Sequence, residues 1–240
     1  MSNCVPAVLG YHKIGKPPRG CDPTWFYIPE DTFEAQMALL KKGGWRIIDL
    51  DTLVRGLDLP DELPERAVLI TFDDGCRSLT DGALRILTSL GFPAVTFVPS
   101  DYIGKTNSFD AGIEPEEPIC DWNDLRRLQE ADISVQSHSS SHRRLSQLGP
   151  ADQESELRTS KAVLEAELGR PVTAFAYTFG DCGPDSASMS SLMLQAGYQA
   201  AFLYGDAPRG FADRFHLPRI ARGPGTDLLA ELRAANPTTP

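Results

Sequence analysis

The sequence contains no long apolar run and no excess of positive charge, and each absence excludes a class of protein. No apolar stretch approaches the roughly 20 residues that a membrane-spanning helix requires. The 240 residues include 23 Lys and Arg but 33 Asp and Glu, which gives a formal net charge of −10. Nonspecific nucleic-acid binding relies on clustered basic side chains, so this acidic balance argues against it. We therefore expect neither a membrane span nor a nucleic-acid partner.

Paired cysteine motifs are also lacking. The five cysteines are odd in number, lie far apart and form no C-x-x-C pair: Cys4, Cys21, Cys76, Cys120 and Cys182. This pattern argues against a disulfide framework or a structural zinc knuckle and favours reduced thiols. No basic segment precedes the apolar run at 5–11, which is not typical of a secretory signal. These features predict a cytoplasmic location, although removal of a leader would also be consistent with them.

Short apolar runs alternate with amphipathic helical patterns along most of the chain. Strands are predicted at 5–11, 45–48, 67–72, 94–98, 133–136, 172–177 and 199–203, and helices at 31–42, 79–90, 151–168 and 186–196. This alternation is typical of parallel β-α units. Seven units predict an α/β fold, a single-domain incomplete (β/α)7-type barrel over 1–240, with a doubly wound open sheet as the alternative. The long Gly-, Pro- and Glu-rich stretch 101–120 is predicted to be a rim loop.

Two adjacent carboxylates, Asp73 and Asp74, follow the predicted strand 67–72. Buried charges need partners, so a pair at a strand end indicates a bound group, unless one aspartate only caps the next helix. Gly75 allows the backbone to turn sharply here and to bring both acids to a cleft. Taken alone, the two interpretations are about equally supported.

Two of the chain's four histidines, His138 and His142, lie in one pentapeptide after the predicted strand 133–136. Histidines four residues apart share one face of a helical turn, and this spacing suits two imidazoles on one metal ion. A polar loop with two incidental histidines is the alternative. The scarcity of histidine elsewhere in the chain favours the metal interpretation.

Several polar motifs follow predicted strands and would meet at one end of a barrel, where β/α barrels gather their active sites. They are His12, the two aspartates, the two histidines and the segment 175–180. Two histidines and one aspartate form a three-ligand site with open coordination positions, which is typical of a catalytic metal. A second carboxylate could accept a proton from water, and another histidine could protonate a leaving amine. The set therefore predicts metal-assisted hydrolysis of an amide.

The pentapeptides Thr71-Phe72-Asp73-Asp74-Gly75 and His138-Ser139-Ser140-Ser141-His142 resemble the first two motifs of the polysaccharide deacetylases, carbohydrate esterase family four, also called the NodB-homology domain. The segments 11–14, 29–37 and 217–220 resemble the poly-N-acetylglucosamine deacetylase branch. The resemblance implies a metal-dependent hydrolase that removes N-acetyl groups from the amino sugars of a poly- or oligosaccharide and releases acetate. The expected partner is therefore an N-acetylated carbohydrate.

The resemblance also implies a metal site, carried over by motif position. Asp73 matches the family's general base, while Asp74, His138 and His142 match the ligands of a divalent ion. Imidazole and carboxylate ligands suit zinc, and also cobalt, nickel or iron.

The remaining implied roles come from the third motif and an early histidine. Phe179 lies at the aromatic position of that motif, whose backbone N–H helps to form an oxyanion hole. His12, in the early Tyr-His pair, matches the general acid of this branch, and His216 is the rival candidate.

The third motif departs from the family pattern. Ala176 stands where an arginine usually partners the catalytic aspartate, and Thr178 stands where a proline is usual, which leaves the tuning of Asp73 open. Arg219 could pair with a carboxylate near the site, but we expect it to form a surface salt bridge. Trp122 could wall the site or could be a core aromatic at a helix start. The candidate substrate contacts are Trp122, Tyr177, His216 and Arg219.

Two other functions are consistent with these motifs. The same site could hydrolyse a small cytoplasmic amide or an O-acetyl ester. The missing third-motif arginine would also suit a catalytically silent sugar-binding module that keeps its metal. The presence of both Asp73 and Asp74 argues against that module, because binding alone would not need the acid that is not a ligand.

Overall fold

A curved parallel β-sheet forms the centre of the protein, whose computed structural model describes residues 6–204 and 213–235. The strands are β1 (Ala7–Tyr11), β2 (Lys13–Ile14), β3 (Tyr27–Ile28), β4 (Arg46–Ile47), β5 (Ala67–Phe72), β6 (Ala94–Val98), β7 (Ile133–Ser137), β8 (Ala174–Ala176), β9 (Ala200–Phe202) and β10 (Ile220–Ala221). The helices are α1 (Glu30–Lys42), α2 (Leu50–Asp58), α3 (Leu84–Leu90), α4 (Trp122–Glu130), α5 (Pro150–Leu168), α6 (Ser186–Gln195) and α7 (Leu228–Ala235). A π-helical turn, Leu79–Ala83, leads directly into α3.

Seven strands pair in parallel in the order β10-β1-β5-β6-β7-β8-β9, and β4 pairs with the start of β5. The seven-stranded sheet curves through 248°, so the barrel is incomplete. The predicted α/β fold with an incomplete (β/α)7-type barrel is therefore confirmed, in preference to a doubly wound open sheet.

The central strands are buried along their whole length, which explains why they read as continuous apolar runs in the sequence. Every residue of β1, β5 and β6 is buried. The surrounding helices contribute one apolar face each, as α1 does with Phe33, Met37 and Leu40 at helical spacing. This layer of helices leaves the carboxyl ends of the strands free to carry loops.

Strands β5 and β6 lie at their predicted bounds, whereas α2 is not predicted by the sequence pattern, and the start of α4 is indicated only by the alternative interpretation of Trp122. Helix α2 contains Gly56, a residue type that in the sequence indicates the end of a helix. The side chain of Leu63 fills the space where a Cβ at position 56 would lie, only 2.3 Å from Leu63 Cγ. Packing therefore requires glycine inside this helix, against its weak helix propensity.

The segment 217–221 runs between the two edges of the curved sheet. Leu217 forms a parallel bridge with Phe202 of β9, and Ile220 of β10 pairs with Leu9 of β1. Between these contacts, Arg219 is buried with 3% exposure. The segment thus brings a late part of the chain into the barrel beside its first strand.

Within the described ranges, no helix combines the length and the apolar composition needed to cross a membrane. Cys21, Cys76, Cys120 and Cys182 are free thiols, while Cys4 lies outside the described residues.

Candidate functional site

The turn after β5 places Asp73 and Asp74 at the carboxyl end of the barrel. The backbone N–H of Asp73 donates to Tyr11 O at 2.9 Å, which continues the pairing of β5 with β1. Asp74 and Gly75 both adopt the left-handed region, with φ of 68° and 65°. A Cβ at position 75 would lie 2.9 Å from Val98 Cγ1, so both conformation and space require glycine there. Such strain at a non-glycine residue is common where function constrains the backbone.

Asp74, His138 and His142 converge from two strand ends. Asp74 Oδ1 lies 3.5 Å from His138 Nε2 and 3.2 Å from His142 Nε2, and all three side chains are buried. One donor atom from each residue lies within 4.8 Å of the other two. A carboxylate and two imidazoles brought this close form a candidate metal centre.

Electrostatics favour an ionised carboxylate at the centre of this cluster. Burial raises the pKa of Asp74, but hydrogen bonds from His138 and His142 outweigh it and hold the pKa well below its ordinary value. Burial lowers the pKa of His138, but the charges of Asp73 and Asp74 outweigh that effect and raise it. His138 Nδ1 forms a 2.7 Å hydrogen bond with Ala176 O, which fixes the ring with Nε2 facing the aspartate.

Arg219 forms a bidentate ion pair with Asp73, so the expected surface salt bridge is wrong. Its Nη1 and Nη2 donate to Oδ1 and Oδ2 of Asp73, each at 2.6 Å. Nε donates to Leu203 O, and Nη1 also reaches Thr71 Oγ1. With these contacts made inside the protein, Arg219 lies behind Asp73 and not among the cleft residues, so its candidate substrate contact is not supported.

Arg219 is thus the partner of Asp73 that the alanine at position 176 cannot be. Burial raises the pKa of Asp73, but the Arg219 guanidinium outweighs it and lowers the pKa below its ordinary value. The carboxylate is therefore ionised at neutral pH, as a general base must be.

His12 follows β1 and approaches the other candidate acid–base group. Its Nε2 lies 3.9 Å from Asp73 Oδ2. Its ring is enclosed by Phe26 and Tyr204, with centroid distances of 4.5 Å and 4.8 Å. Burial lowers the pKa of His12 below its ordinary 6.5, despite the opposing charges of Asp74 and Asp73. The imidazole is therefore mostly neutral at pH 7.

A buried glutamate that the sequence motifs do not indicate holds the loop between the two histidines. Glu156 of α5 accepts hydrogen bonds from the backbone N–H groups of Ser140 and Ser141, from the Ser141 hydroxyl and from Arg143. Burial raises its pKa, but these hydrogen bonds outweigh it and lower the pKa below 4.5. The one available sequence signal is spacing, because Glu156 lies on the buried helix face with Ser160 and Leu164.

Replacing Glu156 by glutamine is expected to lower the free energy of unfolding by about 2 kcal/mol at pH 7, because charged hydrogen bonds are lost. The lowered pKa of Glu156 means that its stabilisation is present above about pH 4.5 and disappears as pH falls further. The difference between wild type and variant should therefore shrink below pH 4.5, measured by urea unfolding. Glu154→Gln, at an exposed site paired with Arg158, is the control and should cost less than about 0.5 kcal/mol. An equal loss at pH 7 and pH 3.5 would contradict this account.

The site opens into a cleft with a cavity of about 350 Å³. Its walls include the predicted residues His12, Asp73, Asp74, His138, His142 and Phe179. They also include seven residues that were not predicted as site residues: Lys13, Phe26, Asp110, Ile113, Glu114, Arg144 and Tyr204. Three of these belong to the stretch 101–120, which therefore does form part of the rim. Phe179 has a φ of 57°, and its ring is 44% exposed.

Trp122, Tyr177 and His216 do not line this cleft. Trp122 begins α4 and packs against the core, in line with its alternative interpretation as a helix-start aromatic. Tyr177 is buried and stacks on His216 at 5.9 Å, and His216 Nδ1 forms a 3.0 Å hydrogen bond with Asp213. These contacts hold the three side chains elsewhere, so the structure does not support them as substrate contacts, nor His216 as the acid.

Comparison with known proteins shows the family. The profile described as Polysaccharide deacetylase matches residues 61–201. YxkH of Bacillus subtilis, which is named as a polysaccharide deacetylase, is 26% identical over 192 residues, covering 80% of this chain and 62% of YxkH. The poly-beta-1,6-N-acetyl-D-glucosamine N-deacetylase of Staphylococcus epidermidis is 23% identical over 208 residues, covering 81% of this chain and 68% of that protein. The chain thus spans less than two thirds of YxkH.

Solved structures share the fold. The Streptococcus pyogenes deacetylase PplD, in complex with acetate, superposes with a TM-score of 0.81 at 20% identity, covering 97% of this chain and 98% of PplD. IcaB from Ammonifex degensii gives 0.72 at 22% identity, covering 91% of each chain. At identities of 20% and 22%, these similarities establish a shared fold and nothing further. Because the family profile matches more than half of the sequence, this chain belongs to the polysaccharide deacetylase family.

Proposed function

We propose that this chain is a divalent-metal-dependent N-deacetylase acting on the N-acetylated amino sugars of a poly- or oligosaccharide. The observation that carries the proposal is the cluster of Asp74, His138 and His142 beside Asp73 and His12 in one cleft. The name of the S. epidermidis relative points to the same substrate class. Amide hydrolysis by water requires a metal site with open coordination positions and a nearby ionised carboxylate, and this cluster could provide both.

The donor set fits a divalent ion. Both histidines direct Nε2 at the same carboxylate oxygen of Asp74, and three protein ligands leave coordination positions for water and substrate. The ligand types suit zinc, cobalt, nickel or iron. When bound, such an ion would supply Lewis acidity that activates water and polarises the acetyl carbonyl.

The protein's own groups would manage the protons. Asp73, ionised and fixed by Arg219, accepts the proton that water loses when its oxygen attacks the acetyl carbon. The C–N bond breaks as the sugar nitrogen takes up a proton, because without that proton the nitrogen would have to leave with the electron pair as a strongly basic anion. His12 is neutral and lies 3.9 Å from Asp73, so it passes the proton from the carboxylate to the amine. Acetate and a free amino sugar result, and no covalent enzyme intermediate is required.

Phe179 would complete the site through both its backbone N–H and its side chain. Its backbone N–H stabilises the oxyanion that develops on the acetyl oxygen, as the third motif implies. Its exposed ring offers an apolar surface to the sugar.

Acetate release is the direct test. Wild-type protein is incubated with β-1,6-linked N-acetylglucosamine oligomers, with chelator, and with zinc or cobalt added back. Release that stops with chelator and returns with metal supports the proposal. Faster release from O-acetyl esters than from the N-acetyl oligomers would favour an esterase. Oligomer binding without any release under all metal conditions would favour a sugar-binding module and overturn the proposal.

The pH dependence of kcat/KM tests the role of His12. A relay that needs a neutral imidazole should be active from pH 6.5 to 8 and lose activity as pH falls and the ring becomes protonated. Activity is expected to fall toward low pH because burial holds the pKa of His12 below 6.5, so the ring is neutral at pH 7 and becomes protonated only as pH falls. A requirement for the imidazolium in the free enzyme would give the opposite slope, with activity rising from pH 7 to 5.5.

Protonation of the metal ligands at low pH could also reduce kcat/KM. His12→Gln, assayed at saturating metal, provides the control for this effect. The residual activity of the variant should decline less between pH 7 and 5.5 than that of wild type. Equal declines would assign the acid limb to the ligands and contradict the relay.

A further inference from the structure

The two histidines of the candidate metal centre differ in how their outer nitrogens are held. His138 Nδ1 is hydrogen-bonded to Ala176 O at 2.7 Å. His142 Nδ1 is buried and has no hydrogen-bond partner among the residues that the structure describes. A metal-binding histidine normally uses this nitrogen to fix its ring orientation, so something else must orient His142.

Aromatic side chains enclose the His142 ring. The ring of Phe109 lies 4.0 Å from it, centroid to centroid, with an interplanar angle of 30°. The ring of Phe179 lies 4.8 Å away at 68°. The close, tilted contact with Phe109 restricts rotation of the imidazole about its Cβ–Cγ bond. It also presents a π-face to a ring that gains positive character when it binds a cation.

The position of Phe109 is itself fixed by the rim loop. Its ring meets Tyr102 edge-on at 4.8 Å. The loop is tied to the N-terminal part of the chain by the buried ion pair of Lys13 and Glu114, with 2.8 Å between Nζ and Oε2. Tyr27 OH donates to Glu117 at 2.6 Å, a second buried tie. The ring is therefore held by the folded loop and not by a contact with His142 alone.

We propose that Phe109 is a positioning residue for the metal ligand His142, and that its closely packed ring takes the place of the hydrogen-bond acceptor that His142 Nδ1 lacks. The inference rests on the proposed function, because it assumes that the cluster binds a divalent ion. It assigns the stretch 101–120 a part in metal affinity in addition to its place in the cleft wall.

The zinc affinity of the purified 240-residue chain, measured by competition with a chelating dye at pH 7, tests this proposal. Phe109→Leu keeps an apolar side chain without a ring and should weaken zinc binding about 10-fold or more, the scale of lost outer-shell contacts. Phe109→Tyr keeps the ring and should bind like wild type. Ser108→Ala, at an exposed position next to Phe109 and outside the cleft lining, is the control for general disturbance of the loop and should bind zinc like wild type.

Circular dichroism and urea unfolding of the metal-free variants show whether each is folded. If Phe109→Leu does not fold, Phe109→Met replaces it with a more adaptable side chain. Wild-type affinity in a folded leucine or methionine variant would overturn the inference while leaving the proposed function intact. Failure of wild type to bind zinc, cobalt, nickel or iron would overturn the proposed metal centre itself.

Discussion

Replacing Arg219 by methionine is expected to lower the free energy of unfolding by about 3–5 kcal/mol, because it leaves a buried carboxylate without its counterion. The Arg219 side chain is fully buried, and that of Asp73 is 3% exposed. Burial therefore limits the solvation of the orphaned charge to the cleft side, and the ionised form of Asp73 would be destabilised until it binds a proton. Urea unfolding of the metal-free protein at pH 7 measures the loss.

A double variant isolates the ion pair from other effects of the substitution. Asp73→Asn added to Arg219→Met removes the orphaned charge, so the double variant should be more stable than Arg219→Met alone. Arg214→Met is the matched control, because Arg214 pairs with Asp58 at the surface and should contribute less than about 1 kcal/mol. A loss below 1 kcal/mol for Arg219→Met would show that the pair does not stabilise the fold.

Asparagine at position 73 is expected to reduce acetate release by about 10²–10⁴-fold, the usual scale for loss of a general base. Zinc affinity should change little, because the proposed ligands are Asp74, His138 and His142. Asp74→Asn should instead lose both activity and zinc binding, since a neutral amide is a poor ligand. The zinc dissociation constant is thus expected to distinguish the roles of the two adjacent aspartates.

Each variant removes the charge of a buried carboxylate and so leaves its partner side chains without a counterion, which could lower stability. Both are therefore assayed below their unfolding temperatures, which circular dichroism establishes. Asp110→Asn is a control within the same cleft, since Asp110 lies outside the ligand cluster. Its activity should stay within about tenfold of wild type. Loss of zinc binding by Asp73→Asn, or retained turnover by both aspartate variants, would contradict the assigned roles.

The sequence predicts those parts of the site that depend on local signals. Asp73 and Asp74 directly follow the mainly apolar strand β5, and His138 and His142 follow β7, so the sequence indicates where each strand ends. A parallel barrel then places these ends together without further information.

The missed contacts depend on long-range packing. The pairing of Arg219 with Asp73 joins residues 146 positions apart and follows from the course of segment 217–221, which no periodicity reveals. Glu156 reads as one more charge on a polar helix, and its burial depends on how α5 packs. Phe109 lies in a loop without any repeating pattern. For Trp122 the sequence left a cleft wall and a helix-start core aromatic both open, and packing decides for the second, since the partly buried side chain lies against the core.

The late position of Arg219 has a consequence for synthesis of the protein on the ribosome. A nascent chain that has released residues up to 204 already contains both aspartates and both histidines, but not the cation that neutralises Asp73. Until residue 219 emerges, burial of that carboxylate would be unfavourable, so the surrounding barrel should stay open. Products that end before residue 219 should therefore fail to complete this end of the barrel, because they lack the cation that pairs with Asp73.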